Sequence, residues 1–542
     1  MTAHEDWLVR RWGLSEAVAS VVQDLLAEEG RGSTALRLEP AKQAQIGSDG
    51  WGGAAFEDDS NSPLVLIRDG GDIFLQSRVL HESEAAIAKH LRLLALAAFT
   101  PPPSAEDLIA QLFPDAQGEQ AQAARLALRS GLTLLTGGPG TGKTHTLARI
   151  LALLVKAGHP PQKIYLAAPT GKAADRMKAS ISDSLDQAGL ASEREVLLSV
   201  ASSGKTLHSL LGYNPATGLC AAGPLPEGST VIIDESSMVD VHMWRALCGR
   251  LPQDARLILV GDPNQLESVG QGAVFSELVR AAEQPPIAHA LARLSQSRRF
   301  ATESDIPRLA QAMEDANPEA AAQILETHRN GAAEAGVAWI PHSGGAFPVA
   351  AIPSRIHDGL AAIADAESPE QAIAAFGSVC ILAAQRRFFV GSAAINAVME
   401  NHLTQTGRPI QHRPIIINRN DPATGLRNGA VGILSRSPSP RARFPMPGGA
   451  LREFSPGALP DHSPAWAITI HRSQGSEYDH VLVILPREES PLATRELLYT
   501  AITRARKSVF VAGDLDTVKK AVQTSSSRVT LLRTVLRALE NQ

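Results

Sequence analysis

The 542-residue sequence predicts an α/β fold of two parallel-sheet lobes, preceded by an N-terminal α/β domain and interrupted by a small inserted β-barrel. Three observations carry that prediction. Short apolar runs ending in polar turns alternate with helical patterns between residues 132 and 280, and again between 379 and 512, as parallel strands buried on both faces require. The string GGPGTGKT at 137–144 stands between one such run, at 132–135, and a helical pattern at 145–156. The length also exceeds what one hydrophobic core supports, so several domains are needed.

The elements follow in order. Residues 1–112 alternate helical patterns, at 16–28 and 81–96, with strand-like runs at 64–68 and 72–76, and Pro101, Pro102, Pro103 and Ser104 end this N-terminal domain. A helix from about Gln120 leads into the first lobe, 113–295, with strands expected at 132–135, 164–168, 231–233 and 257–260. The second lobe is read as 296–404 and 466–542, with strands at 379–383, 467–470, 481–484 and 509–512. Between its two parts, 405–465 carries short strands at 415–418, 431–434 and 442–446 separated by Gly, Pro and Ser, which reads as a barrel; an unstructured excursion is the alternative for SRSPSPRARFPMPGG. The tail, 524–540, reads as a leucine-bearing helix with three arginines that packs on the second lobe.

Composition narrows the function classes. Fifty-one basic against 56 acidic residues, a net charge of −5, exclude a chain coated in positive charge but leave room for a local basic groove. Aromatic residues are only 4% of the chain, so stacking platforms must be few. The start, MTAHEDWLVRRWGL, is acidic where a signal peptide is basic, and no stretch approaches the roughly 18 apolar residues that span a bilayer, so a cytoplasmic protein without a membrane partner is expected. Cys220, Cys248 and Cys380 lack zinc-ligand spacing and read as buried or half-buried free thiols.

The chemistry is concentrated in turns after apolar runs. Backbone N–H groups of the loop Gly137, Gly138, Pro139, Gly140, Thr141 and Gly142 and of the following helix N-terminus can cradle phosphates, with Lys143 reaching the β and γ phosphates and the Thr144 hydroxyl taking one position on Mg2+. VIIDESSMVD ends a strand with Asp234 and Glu235 side by side: Asp234 suits magnesium held through water, and Glu235 suits a base on the attacking water. The alternative is Asp234 as the cap of a helix at 236–247. Gln265, in GDPNQLESVGQGAVF, can sense a γ phosphate or can merely stabilise its turn. Charge developing on a transferred phosphoryl group calls for cations from outside the loop, and Arg299 and Arg504 are the candidates, surface solvation being the alternative for any arginine. APTGKAA (168–174), TLHSLLG (206–212) and TIHRSQGSEYD (469–479) pair hydroxyl or histidine donors with backbone amides, suiting contacts to phosphates along a single strand; His208 and His471 can equally be structural.

In order and in length, GGPGTGKTHT, AAPTGKAA, TLHSLLG, DESSMVD, GDPNQLESVGQGAVF, AWAITIHRSQGSEYDHVLVILP and RELLYTAITRARKSVFVAG resemble the RecD family of superfamily 1 helicases, the alpha subunits of exodeoxyribonuclease V (RecBCD enzyme). The resemblance implies two RecA-like P-loop NTPase lobes with an inserted SH3-like barrel. It implies an ATP- and Mg2+-dependent 5′ to 3′ DNA helicase acting on single-stranded and duplex-end DNA in double-strand break repair. It further implies a heterotrimer with RecB-like helicase–nuclease and RecC-like scaffold subunits, nuclease activity belonging to a partner. By the same resemblance Gln120 lies on the adenine side, Lys143, Thr144, Asp234 and Glu235 contact nucleotide and metal, and Gln265, Arg299 and Arg504 couple to the γ phosphate. Gly475 and Glu477 couple motor to DNA, and Pro169, Thr170, His208, Thr469, His471 and Ser473 contact single-stranded DNA. Two departures stand out: Arg298 where the family has an aromatic, and a poorly matched proline-rich stretch at 435–465. A stand-alone RecD-like helicase and a nucleotide-gated structural subunit are the rival readings.

Overall fold

The computed structural model describes residues 16–48, 62–187, 193–214, 217–285, 287–295, 304–331, 333, 336–342, 345–405, 409–436, 439–446, 450–486, 490–526 and 528–539. At the N-terminal end, strands β1 (Ala35–Arg37), β2 (Leu64–Asp69) and β3 (Asp72–Ser77) form an antiparallel sheet in the order β1-β3-β2. The helix Glu16–Gly30 closes one face of it with Val18, Val21, Val22 and Leu25. The amphipathic helix Arg78–Leu96 turns Leu80, Ile87, Leu91 and Leu94 into a core shared with Leu132, Val231 and Trp244, so it is bound to the first parallel sheet.

That sheet contains β4 (Leu132–Gly137), β5 (Ile164–Ala168), β6 (Lys205–Thr206), β9 (Thr230–Ile233), β10 (Arg256–Gly261) and β11 (Leu291–Leu294) in the order β11-β4-β10-β9-β5-β6, parallel throughout. A small hairpin, β7 (Tyr213–Asn214) with β8 (Leu219–Cys220), follows β6. Parallel neighbours need crossover helices, and these bury both faces, which is why β4, β9 and β10 read as unbroken apolar runs.

The second parallel sheet, β12-β21-β20-β13-β19, is made of β12 (Val337–Pro341), β13 (Val379–Ala383), β19 (Ala467–Thr469), β20 (Tyr478–Ile484) and β21 (Ala505–Gly513), again with a core on each face. Between β13 and β19 lies an antiparallel sheet of β14 (His412–Ile417), β15 (Val431–Ser435), β16 (Arg441–Pro445), β17 (Leu451–Phe454) and β18 (His462–Pro464), in the order β17-β16-β15-β14-β18. The arginine- and proline-containing stretch taken as a possible excursion thus supplies β16, which pairs with β15 on one side and β17 on the other around Phe444 and Phe454. Among the described residues no helix is long and apolar enough to cross a membrane.

Two expectations need correction. The C-terminal tail touches the second lobe only at its start, where Ser526 N donates to Glu496 Oε2 at 2.7 Å, and its helix packs elsewhere. Val529 pairs with the N-terminal domain, Thr34 N donating to its carbonyl at 2.8 Å, and Leu532 and Leu536 of the helix Leu532–Ala538 join Leu80, Ile87 and Trp244 in the first lobe's core. Three buried leucines, Leu531 included, are worth roughly 1.5–3 kcal/mol each, enough to hold a short helix away from the lobe that precedes it in sequence. Cys248 and Cys380 are buried as expected, but Cys220 is exposed on its hairpin.

Candidate functional site

Strand β10 lies between β4 and β9, so the turns leaving these three strands share the carboxyl edge of the first sheet. The loop after β4 follows a path only glycine takes without strain at Gly140 (φ 78°) and Gly142 (φ 84°), and the helix Lys143–Lys156 begins directly behind it. Lys143 Nζ donates to the carbonyls of Gly137 at 2.5 Å and Gly138 at 3.0 Å. Gln120 flanks the loop: a Cβ on Gly142 would come within 3.0 Å of its Nε2.

After β9, Asp234 Oδ1 accepts from the Glu235 N–H at 2.9 Å, and Glu235 itself has a left-handed backbone (φ 53°). A non-glycine residue in that region costs about 1–2 kcal/mol and aims the side chain away from the strand direction. Burial, and next the adjacent Glu235 charge, raise the pKa of Asp234, while Arg176 and Lys143 oppose the shift. The expected helix at 236–247 is divided into a short turn, Ser236–Met238, and a helix Val241–Cys248 whose cap is Asp240, accepting from Met243 N at 2.8 Å. Asp234 is therefore left to the cleft.

One cavity joins these groups to the second lobe. Lys143, Thr144, Arg176, Asp234, Glu235 and Gln265 line it from the first lobe, and Glu477 and Arg504 from the second. Arg504 is buried; its Nη2 donates to Gln265 Oε1 at 2.7 Å, its Nε to Thr500 O at 3.0 Å and its Nη1 to Ser476 O at 3.2 Å. Gln265 Nε2 donates to Asp262 Oδ2 at 3.0 Å, and Tyr499 Oη donates to the same oxygen at 3.1 Å. Leu266 bridges the lobes with its backbone, its N–H donating to Thr500 Oγ1 at 2.8 Å and its carbonyl accepting from Gln474 Nε2 at 3.0 Å. Glu477 pairs with Arg176, whose charge is opposed by burial but sustained by Glu477 and, more weakly, by Glu235 and Asp234, so its pKa is raised. Thr144, Asp234 and Glu235 present hard oxygen donors, a set that fits a divalent cation of the Mg2+ type.

Among the described residues, the remaining sequence-derived ones do not line this cavity. Gly475 (φ 70°) backs onto Ala173 of the first lobe, its missing Cβ lying 3.7 Å from the Ala173 Cβ. Pro169 and Thr170 follow β5, where Thr170 Oγ1 accepts from Ala173 N at 3.2 Å, and His208 is exposed on the short helix after β6. Thr469 ends β19 and His471 is half-buried, its pKa lowered by burial and then by Arg528. Ser473 departs from the expected DNA contact: it is fully buried, and its hydroxyl donates to Ile470 O at 2.7 Å. Arg299, with Arg298 beside it, lies outside the described residues.

Sequence reasoning missed Arg176, Gln474, Tyr499, Thr500 and Arg528. For Tyr499 and Thr500 a signal existed, since they precede Arg504 by about one helical turn within YTAITRAR. Arg528 lies in the tail and carried none; its guanidinium donates to the carbonyls of Ser268 and Gly270 at 2.6 Å each and pairs with Glu267 at 3.3 Å, clamping the loop that bears Gln265.

Comparison with known proteins adds a separate line of observation. The family model described as an AAA domain matches residues 115–333, and that described as a UvrD-like helicase C-terminal domain matches 464–512. The RecBCD enzyme subunit RecD of Mycolicibacterium smegmatis is 36% identical over 500 residues, 88% of this chain and 85% of that protein. The ATP-dependent RecD2 DNA helicase of Deinococcus radiodurans is 30% identical over 395 residues, 70% of this chain and 47% of that protein. Among solved structures, the Pif1 helicase from Candida albicans is 17% identical, covering 78% of this chain and 98% of that one with a TM-score of 0.43.

Proposed function

The chain belongs to the RecD family of superfamily 1 helicases and is an ATP-dependent enzyme of that family, and we propose that it works as the 5′ to 3′ DNA motor of a RecBCD-type helicase–nuclease in double-strand break repair. The observation that carries the reading is the inter-lobe cavity, where the phosphate loop and its carboxylates from one lobe meet Arg504 and Glu477 from the other. On this reading residues 1–112 bind partners, 113–295 form one RecA-like lobe, 296–404 and 466–542 the other, and 405–465 an SH3-like barrel. The match to the M. smegmatis RecD, 36% identical over 88% of this chain, against 30% over 70% of it for the RecD2 helicase, supports the subunit over the stand-alone motor.

The mechanism follows from the groups present. ATP entering the cleft draws Lys143 off the Gly137 and Gly138 carbonyls onto the β and γ phosphates, an exchange of neutral acceptors for charged ones. Thr144 and Asp234 would hold Mg2+, which neutralises charge on the phosphate oxygens. Glu235 takes the proton of the attacking water. Arg504, already within hydrogen-bond reach of Gln265, supplies the cation from the second lobe, with Arg299 as a second source on the family pattern. Because Gln265, Leu266 and Gln474 belong to the same bridge, loss of the γ phosphate loosens the lobes and shifts the grip on DNA. Pro169, Thr170, His208, Thr469 and His471 form the proposed DNA track; Ser473 is withdrawn from it.

The test uses partial duplexes with a 5′ or a 3′ single-stranded tail, together with co-purification of the tagged chain from its native host. Unwinding of the 5′-tailed substrate alone, with two large partners retained, is expected. Unwinding confined to 3′ tails would overturn the polarity, and an active chain recovered without partners would favour the stand-alone motor.

A further inference from the structure

Beyond the cleft already described, the turn after β13 presents a surface to which none of the site residues above gives a role. The segment Gln385 to Ala393 folds back on itself, with Ser392 N donating to Gln385 O at 2.9 Å, Ala393 N to Arg386 O at 3.0 Å and Gly391 N to Phe388 O at 3.0 Å. Its closure needs glycine at 391, where a Cβ would lie 2.0 Å from the Arg387 carbonyl oxygen. At its tip Phe388 is 76% and Phe389 75% exposed, and Phe388 has a left-handed backbone (φ 72°). A phenylalanine in that conformation is strained, and here the strain turns a large apolar ring outward instead of into a core. In a chain with so few aromatic residues, these are the two described phenylalanines that face solvent.

At the foot of the turn is a cleft lined by Arg386, Asn396, Ser463, Thr469 and Arg472. Arg386 Nη2 reaches Ser463 Oγ at 3.4 Å, and Arg472 Nη1 donates to Asn418 Oδ1 at 2.9 Å. Among the described residues neither arginine has a carboxylate within ion-pair distance, and the cleft's own Glu400 is engaged by Arg413 at 2.7 Å. Burial, and then the like charge of Arg386, lower the pKa of Arg472, with Asp461 opposing the shift, so the cleft presents two neighbouring cations. An anion between them would be favoured by both.

We infer that the turn bearing Phe388 and Phe389 is a stacking platform for unpaired DNA bases, with the Arg386–Arg472 cleft holding the adjoining backbone phosphate. Phenyl faces stack on any base, and arginines take a phosphate without reading sequence, so the pair gives a base-independent grip on a single strand. Thr469 belongs to the same cleft, which makes the platform continuous with the DNA track proposed above; the inference rests on that reading.

The test is anisotropy of a fluorescein-labelled oligothymidylate titrated with the full chain across a range of salt. Replacing both rings, Phe388→Ala with Phe389→Ala, should raise Kd roughly tenfold or more at every salt concentration without changing the salt slope. Phe389→Trp should keep wild-type affinity, because a larger stacking face replaces the smaller. Arg386→Gln should instead reduce the salt slope by about one. The melting midpoint controls for folding, since both rings are exposed. Wild-type affinity in the folded double alanine variant would overturn the platform while leaving the motor intact. A wild-type chain that fails to bind the oligonucleotide would overturn the DNA-motor reading itself.

Discussion

At the scale of single residues, the groups whose ordinary preferences are violated are the informative ones. Glu235 combines a left-handed backbone with a place in the phosphate cavity, and glutamine can hold the same backbone without accepting a proton. Glu235→Gln should therefore bind ATP with near wild-type affinity while single-turnover hydrolysis falls by about 10²–10⁴-fold; parallel loss of binding and turnover would make the residue structural. Glu84 is violated in another way, since its carboxylate is buried where Gln76 Nε2 (2.9 Å), Thr34 Oγ1 (2.8 Å) and Leu531 N (3.3 Å) donate to it, and burial pushes its pKa up to about 7. The folded state then binds this proton more tightly than the unfolded chain does. Its contribution to stability is complete below the ordinary carboxylate range, near 4.5, and is lost as pH rises through about 7. Glu84→Gln should flatten the fall in melting midpoint across that window and be more stable than wild type at the alkaline end, by roughly 3 kcal/mol at most. Gln76 Oε1 has no partner among the described residues, so a flipped Gln76 amide can receive the new N–H. A variant as pH-dependent as wild type would contradict the assignment.

Among the elements, two segments link distant parts of the molecule. Thr469 to Glu477 runs from the end of β19, beside Arg386, back to the start of β20 at the inter-lobe cavity, so one short segment lines both the cleft of Arg386 and Arg472 and the cavity of the phosphate loop. The tail from 524 to 539 leaves the second lobe, clamps the Gln265 loop through Arg528 and ends on the N-terminal helix Arg78–Leu96. Arg528→Ala breaks the half-buried Glu267 pair and removes the bonds to three carbonyls, of which Ser268 O is left without a donor while Gly270 O and Gly272 O keep the Ser268 hydroxyl, a loss of about 3 kcal/mol. Burial pushes the Glu267 pKa up to about 7 and Arg528 opposes that, so without the arginine it rises further. The neutral acid is the cheaper form in the variant, and the melting deficit should be larger near pH 8 than near pH 6; the reverse order would contradict the clamp. The tail's docking was not legible in the sequence. Hydrophobic period and turn residues report local structure, whereas the tail's partners lie hundreds of residues away and its three arginines look alike in composition. The short strands β6, β11 and β12 also escaped, because two to five residues at or near a sheet edge leave little pattern to read.

For the whole molecule, the chain's plan was legible because each phosphate-binding or carboxylate-bearing string follows its own strand. Lys143, Thr144, Asp234, Glu235 and Gln265 leave β4, β9 and β10, and the adjacency of those three strands brings them together. What no string could report is which residues pair across the lobes: Arg176 with Glu477, Thr500 and Gln474 with Leu266. Those pairs carry the central claim, that ATP is held between two lobes and that Arg504 completes a site built on the other lobe. Steady-state phosphate release by the full chain, with and without single-stranded DNA, tests it most directly through Arg504→Ala and Lys143→Ala side by side. The account predicts that both fold and that Arg504→Ala, although it alters only the second lobe, loses about 10³-fold or more of the DNA-stimulated rate, as Lys143→Ala does. A folded Arg504→Ala chain turning over ATP at close to the wild-type rate would contradict it.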